Sequence, residues 1–295
     1  MPTFSVIIPT YNRAELIAKT VSSVLSQKNS DLEIIVIDDG GTDNTAEVIS
    51  SIADPRIKYH KKENEERAAA RNFGTGLASG KYVTFLDSDD LFYGDHLSAA
   101  AEMIEKYDEP EWFHLGYEFR DDVGKQLRPI DNLPPIANER LTDGNFLSCR
   151  GVFIRRDVAL DNFFNQDRAL SGTEDYELWL RLASRYPLYC DNRITSAIVQ
   201  HDLRSVVNSN REQLFTRIRL LEKYLAEDAQ FMKAYGKRFP EFKANNRIYI
   251  ALHLVLARTH RLEAILLLGK SLGMSPKALR NRAFYGTIKR IFLPI

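Results

Sequence analysis

Residues Tyr82 to Leu86 form an unbroken apolar run that ends in the carboxylates Asp87, Asp89 and Asp90. A run without polar alternation suits a strand buried on both faces, the situation inside a parallel sheet covered by helices. Phe4 to Pro9 and Leu32 to Ile37 have the same character, and each also ends in a polar loop, Thr10 to Arg13 and Asp38 to Gly41. Between these runs the apolar residues fall at helical spacing, as in Leu16, Ile17, Thr20, Val21, Val24 and Leu25, and in the alanine-rich Arg67 to Ala78. With Ile57 to His60 as a further short strand, the first 90 residues read β-α-β-α-β-α-β. That order is the mark of an α/β fold with a mostly parallel, Rossmann-like sheet flanked by helices. The three polar loops then open on one edge of the sheet, where ligands of open α/β sheets bind.

The carboxylates on that edge carry a chemical expectation. In extended backbone Asp87 and Asp89 point to the same side. Two such groups repel unless a cation lies between them or one binds a proton. A hard ion held by one or two carboxylates plus substrate phosphates is how Mg²⁺ is usually bound. The alternative is a polar turn that caps the next helix.

Other classes of function are excluded. A chain of 295 residues with 44% hydrophobic residues builds a real core, and its net charge of zero gives no field to draw it to nucleic acid. Cys149 and Cys190 lack metal-ligand spacing and supply no disulfide framework, which fits a reducing, cytoplasmic setting. No secretory leader precedes the first strand, and no uncharged apolar stretch reaches the ~18 residues needed to cross a bilayer. There is no GxxxxGK[ST] loop, and Gly74-Thr75-Gly76 ends a helix instead of joining a strand to one.

Past residue 90 the pattern loosens. Pro110, Pro129, Pro134, Pro135, Gly116, Gly124 and Gly144 break the chain into short pieces. Cys149 to Ile154 reads as a strand, and Ser171 to Leu180 as the start of a helix with Ser171 and Glu174 in a capping box. Helical spacing then covers Leu214 to Ala226, Arg247 to Thr259, Leu262 to Leu272 and Pro276 to Leu293. Thr42 or Asp43 is the expected N-cap of the helix through Ile52. The expected division is a domain over 1–205, split into halves 1–110 and 111–205, followed by a C-terminal helical region over 206–295. No acidic residue follows Glu263, while Lys270, Lys277, Arg280, Arg282, Lys289 and Arg290 make the tail basic. On a helix Leu279, Ala283, Ile288, Ile291 and Phe292 give it an apolar face, so it suits either docking on the rest of the chain or lying on an anionic membrane surface.

Taken together, FSVIIPTYNR at 4–13, EIIVIDDGGTDNT at 33–45, RAAARNFG at 67–74, YVTFLDSDD at 82–90 and SGTEDYELWLRL at 171–182 make the chain resemble the inverting nucleotide-sugar glycosyltransferases of family 2, with the GT-A fold. The resemblance covers roughly residues 1 to 205. It implies transfer of a sugar from a nucleoside diphosphate sugar, a UDP-sugar foremost, to a hydroxyl of a glycan or lipid-linked saccharide. It implies a donor site of Pro9, Thr10, Tyr11, Arg13, Asp39, Arg71, Asp87 and Ser88, and a Mn²⁺ or Mg²⁺ ion on Asp89, Asp87 and His201. Asp175 becomes the catalytic base and Glu174 a supporting or acceptor-contacting residue. The family's Gly-Gly-Phe-Asp-Glu is replaced by Asp161-Asn162-Phe163-Phe164-Asn165-Gln166-Asp167, a departure on the acceptor side. Peripheral attachment at the inner face of the cell membrane would bring the site to lipid-linked acceptors. A sugar-nucleotide nucleotidyltransferase would need a glycine-rich loop after the first strand, which Pro9 to Arg13 lacks, and an inactive carbohydrate-binding module has no use for Asp39, Asp87, Asp89 and Asp175 together.

Overall fold

The structure is a computed structural model that describes residues 1–121, 123–127, 132–200 and 211–293. Two compact units emerge: Met1–Ala137 with Phe146–Leu178 and Tyr186–Ser205, and Asn138–Asn145 with Trp179–Arg185 and Val206–Ile295.

The first unit opens with β1 (Phe4–Thr10), α1 (Ala14–Leu25), β2 (Leu32–Asp38), α2 (Thr45–Ser50), β3 (Ile57–Lys61), α3 (Glu66–Leu77) and β4 (Tyr82–Phe85). It continues through β5 (Leu91–Phe92), α4 (His96–Lys106), β6 (Trp112–Asp121), a 3-10 turn (Cys149–Gly151), β7 (Val152–Arg155), α5 (Arg156–Asp161), the first half of α6 (Glu174–Ala183), which passes into the second unit at Trp179, and β8 (Tyr189–Gln200). The eight strands form one sheet in the order β3-β2-β1-β4-β7-β6-β8-β5. The first four pair in parallel, so the loops after β1, β2 and β4 do share one edge. Antiparallel β7 then joins β4 to β6.

Both faces of β1, β2 and β4 are covered, which is why these strands are buried along their length and mostly apolar, while the edge strand β3 is partly exposed. Val6, Ile8, Ile34 and Val36 pack with Ile17, Val21 and Val24 of α1 on one face. On the other face α3 lies so close that a Cβ on Gly74 would stand 2.5 Å from Ile7 Cγ2. Ala68, Ala69 and Ala70 are buried on that helix, so its alanine content reflects the narrow gap it fills. One acid interrupts the apolar register. Glu33, opposite Ser5 across β1 and β2, accepts hydrogen bonds from Ser5 Oγ (2.5 Å), Lys58 Nζ (2.6 Å) and the Ser79 amide (2.6 Å). Burial works against its charge, yet these partners hold its carboxyl down to about 2.

Two local expectations shift. Helix α2 begins at Thr45, and Asp43 caps from just outside by accepting from the Thr45 amide at 3.1 Å while also taking the Ala14 amide at 2.9 Å. The strand expected from Cys149 begins only at Val152, because the preceding 3-10 turn directs Arg150 into the interior.

The second unit carries α7 (Arg211–Glu227), α8 (Ala229–Tyr235), α9 (Phe239–Leu256), α10 (Arg261–Met274) and α11 (Arg282–Phe292). Helix α9 starts eight residues before the expected Arg247, with Pro240 in its first turn, where proline's missing amide is no loss. The expected single helix over Pro276–Leu293 divides into a 3-10 turn (Pro276–Arg280) and α11, and Asn281 between them caps the Ala283 amide at 2.9 Å. Helix α11 buries Phe284, Thr287 and Ile291; of the expected apolar face, Ile291 is buried, Ala283 and Ile288 are half-buried, and Phe292, with Leu279 on the preceding 3-10 turn, is exposed. Among the described residues, no helix is long and apolar enough to cross a membrane.

Candidate active site

The carboxyl edge of the sheet is built from three loops, the first two of which hydrogen-bond to each other. After β1, Asn12 adopts φ 51° and its side-chain carbonyl accepts the Thr42 amide at 2.7 Å, tying the first loop to the second. Pro9 and Thr10 end β1 opposite Ile37 and Asp38. Thr10 is buried and its Oγ1 lacks a hydrogen-bond partner, while Tyr11 is half exposed beside it. Arg13 precedes α1 at the mouth of this loop. In the second loop Asp38 accepts from Tyr59 Oη (2.6 Å) and the Gly41 amide (2.7 Å). Asp39 is buried and accepts from Lys62 Nζ (2.9 Å) and the Glu65 amide (3.1 Å). Asn12, Tyr59 and Lys62 escape sequence reasoning because their partners lie on other elements.

The third loop departs from simple extension. The Asp90 amide donates to the Asp87 carbonyl at 3.0 Å, so residues 87–90 form a tight turn. The period-two argument for Asp87 and Asp89 therefore does not apply, since the backbone is no longer extended there. Thr20 of α1 pins the turn by donating to the carbonyls of Ser88 (2.9 Å) and Asp90 (3.0 Å). Ser88 is buried and Asp90 is fully so, accepting from the Val199 amide at 3.0 Å and from Arg150. Asp89 is partly exposed.

Arg71 connects this turn to a segment 103 residues away. It is 2% exposed, with Nη2 2.8 Å from Asp87 Oδ1 and Nη1 3.0 Å from Glu174 Oε1. Its guanidinium lies 5.4 Å from the ring centre of Phe164, whose backbone amide and carbonyl are each held at 2.9 Å by the side chain of the adjacent Asn72. The stretch where the chain departs from the family pattern thus supplies the floor beneath Arg71. Burial opposes the charge on Asp87, but Arg71 on one oxygen and Arg150 on the other hold its carboxyl well below the usual range.

Glu174 opens α6. Its second oxygen takes the Gly172 amide at 2.5 Å, so the capping interaction runs to Gly172, at φ 91°, and not to the expected Ser171. Next to it, Asp175 is partly exposed and accepts its neighbour's Tyr176 amide at 2.6 Å. Burial, then the adjacent Glu174 charge, push the Asp175 carboxyl up to about 6. A carboxylate so raised is still ionised at neutral pH but accepts a proton more readily than an ordinary aspartate.

His201 lies outside the described residues. Among those described, no group of three or more His, Cys, Asp or Glu side chains is arranged to hold a metal. Asp89 with the 27% exposed Asp87 therefore fits a hard divalent ion only if the remaining oxygens come from a bound diphosphate, which is the usual Mg²⁺ arrangement.

The model of glycosyl transferase family 2 matches residues 5–163, more than half of the chain. The chain belongs to that family. As a family 2 glycosyltransferase it is 32% identical, over 77% of its length, to an uncharacterized glycosyltransferase of Rickettsia bellii, of which it spans only 34%. It is 28% identical over 68% of its length to a chondroitin synthase of Escherichia coli, spanning 29% of that protein. Among solved structures, S. aureus TarS 1-349 in complex with UDP-GlcNAc matches with a TM-score of 0.67 at 18% identity, over 98% of this chain and 88% of that one. The mannosyltransferase PcManGT from Pyrobaculum calidifontis, in complex with GDP-Man and Mn²⁺, matches at 0.57 and 17%, over 99% and 88%. At these identities the likeness carries the fold, which is GT-A. The family match stops short of Glu174 and Asp175, so their role rests on the geometry around Arg71.

Proposed function

We propose that this family 2 glycosyltransferase moves a sugar from a nucleoside diphosphate sugar, foremost a UDP-sugar, to a hydroxyl of a glycan or lipid-linked saccharide, with inversion. The observation that carries the reading is the Arg71 bridge, 2.8 Å to Asp87 and 3.0 Å to Glu174, which joins the acidic turn to the start of α6. In a single displacement, Asp175 takes the acceptor hydroxyl's proton as its oxygen attacks the anomeric carbon opposite the leaving group. The bond from that carbon to the diphosphate breaks, and the sugar emerges with inverted configuration. Glu174, held by Arg71 and the Gly172 amide, fixes the first turn of α6, and its negative charge together with burial keeps Asp175 basic. Pro9, Thr10, Tyr11, Arg13 and Asp39 take the nucleoside, and Asp87, Ser88 and Arg71 the ribose and diphosphate.

Asp89 and Asp87, joined by His201, would hold Mn²⁺ or Mg²⁺, which when bound supplies a Lewis acid to the departing diphosphate. The Mn²⁺ and GDP-Man of PcManGT support a divalent ion, and the UDP-GlcNAc of TarS supports a uridine donor. The chondroitin synthase relative supports a glycan acceptor. We assign the chemistry to residues 1–205 and a supporting role to 206–295. There the exposed Tyr285 and Phe292, among Arg282, Lys289 and Arg290, favour peripheral contact with an anionic membrane on the cytoplasmic side.

The test is slow donor hydrolysis, measured with Mn²⁺ across a panel of nucleotide sugars. One donor should be cleaved well above the rest. No hydrolysis and no binding of any donor would overturn the reading.

A further inference from the structure

Arg150 is absent from the donor, metal and catalytic assignments, yet it is the second arginine buried at the acidic turn. It is 3% exposed on the 3-10 turn Cys149–Gly151. Its Nη2 reaches two carboxylates, Asp90 Oδ2 in close contact and Asp87 Oδ2 at 3.4 Å. Its Nε and Nη1 are buried with no hydrogen-bond partner. A buried guanidinium with unmet donors is a poor choice for stability alone, since each such donor costs about 1–3 kcal/mol. The turn that carries it cannot drift: a Cβ on Gly151 would lie 2.4 Å from the Leu115 carbonyl oxygen of β6.

An ion chain follows. Arg150 holds Asp90 and one oxygen of Asp87, Arg71 holds the other oxygen of Asp87 together with Glu174, and Asp90 also accepts the Val199 amide near the end of β8. Val199 stands two residues before His201 in the chain. Asp87, Asp89 and Asp175 each stand at or beside a carboxylate fixed by Arg150 or Arg71.

We propose that Arg150 is a positioning residue that sets the geometry of the Asp87–Asp90 turn for a diphosphate-bound divalent cation, touching neither donor nor acceptor itself. This rests on the glycosyltransferase reading above. Both Asp87 oxygens carry arginine N–H groups, so Arg150 governs how the turn presents Asp87 and Asp89 to the ion.

The test uses the full chain with Arg150→Lys, which keeps the charge but loses the planar fork, and Arg150→Met, which loses both. UDP, GDP, ADP and CDP are titrated calorimetrically into each protein, with Mn²⁺ and with EDTA, alongside a thermal melt. For the nucleotide that the parent binds, Arg150→Lys should fold and weaken Mn²⁺-dependent affinity by about 10–100-fold, the range for outer-sphere partners of a metal site. Affinity in EDTA should fall far less, because Arg150 reaches the nucleotide side only through its 3.4 Å contact with Asp87, while the loops after β1 and β2 take the nucleoside. The rate of donor hydrolysis should fall through kcat more than through KM. Parent-like Mn²⁺ affinity in both variants would overturn the inference. So would an equal loss with and without metal in a folded Arg150→Lys, which marks a purely structural role. If Arg150→Met fails to fold, Arg150→Lys decides. A parent that binds no nucleoside diphosphate overturns the glycosyltransferase reading, and this inference with it.

Discussion

Asp175→Asn removes a charge and a proton acceptor while leaving the local backbone contact available, since an amide oxygen can accept the Tyr176 amide as the carboxylate does at 2.6 Å. Two stability terms oppose each other. Losing an acid from the first turn of α6 costs about 0.3–1 kcal/mol. Against this, the Asp175 carboxyl is raised from 3.8 to about 6 in the folded protein, which thus holds the proton more tightly than the unfolded chain. That contribution to stability is present below the unfolded value and is lost as pH rises through 6; asparagine has nothing to lose there. Near pH 7 the second term is the larger, about 3 kcal/mol at ~1.36 kcal/mol per unit, so the variant should be at least as stable as the parent, with an equal or higher melting temperature. Catalysis should suffer far more, by about 10²–10⁴-fold, as expected for loss of a general base. The pH profile adds a sharper sign. In the parent, kcat/KM should climb through pH 6 and fall about tenfold per unit below it, and in the variant that limb should vanish. Initial rates from pH 4.5 to 8, with nucleotide affinity and melts run in parallel, measure all three quantities. A variant turning over within about threefold of the parent, or keeping the limb at 6, refutes the assignment of Asp175 as base.

Asp89→Ala should abolish turnover, and EDTA should do the same to the parent until Mn²⁺ is restored; full activity in EDTA would remove the metal from the mechanism. Arg71→Met leaves Glu174 and Asp87 without their buried partner, so urea unfolding should show a loss of about 3–5 kcal/mol, with Arg71→Lys recovering part of it. In the tail, truncation after Leu272 removes the buried Phe284, Thr287 and Ile291, so the helical unit should melt earlier. Reversing the exposed Arg282, Lys289 and Arg290 to Glu should spare the fold but release the protein from anionic liposomes, each charge being worth about 1 kcal/mol there, and unchanged pelleting would argue against membrane contact.

The parallel half of the sheet was legible because β1, β2 and β4 are mostly apolar, without regular polar alternation, and each stops at a polar loop. The acidic turn stood out for the same reason, as carboxylates placed where an apolar run ends, whereas the Glu174–Asp175 pair was visible as a helix start and through the family resemblance. What joins them was not legible. Arg71 reads as a solvated charge on an alanine-rich helix until α3 is packed against β1, and its Glu174 partner lies 103 residues away. Arg150 hid inside an apparent strand, because Cys149 to Ile154 has strand composition and nothing local announces a 3-10 turn. The tail's apolar residues were visible, but the facing direction was not: the break at Asn281 rotates α11 relative to the continuous helix that the spacing implies.

Glu33 has a consequence for how the sheet chooses its alignment. When both faces of a strand are buried, sliding it by one residue merely exchanges one apolar side chain for another, so hydrophobicity barely penalises the slip. In β1 and β2 the pairs Val6–Ile34, Ile7–Ile35 and Ile8–Val36 are nearly interchangeable. The Ser5–Glu33 pair is not. A slip would set the carboxylate beside Phe4 or Val6 and take it from Ser5, which also accepts the Gly80 amide at 2.8 Å ahead of β4. One acid thus acts as an indexing pin for three neighbouring strands. Glu33→Val, harmless on a hydropathy scale, would leave the strands in place but free them to settle one step out of line, moving every loop on the far edge with them.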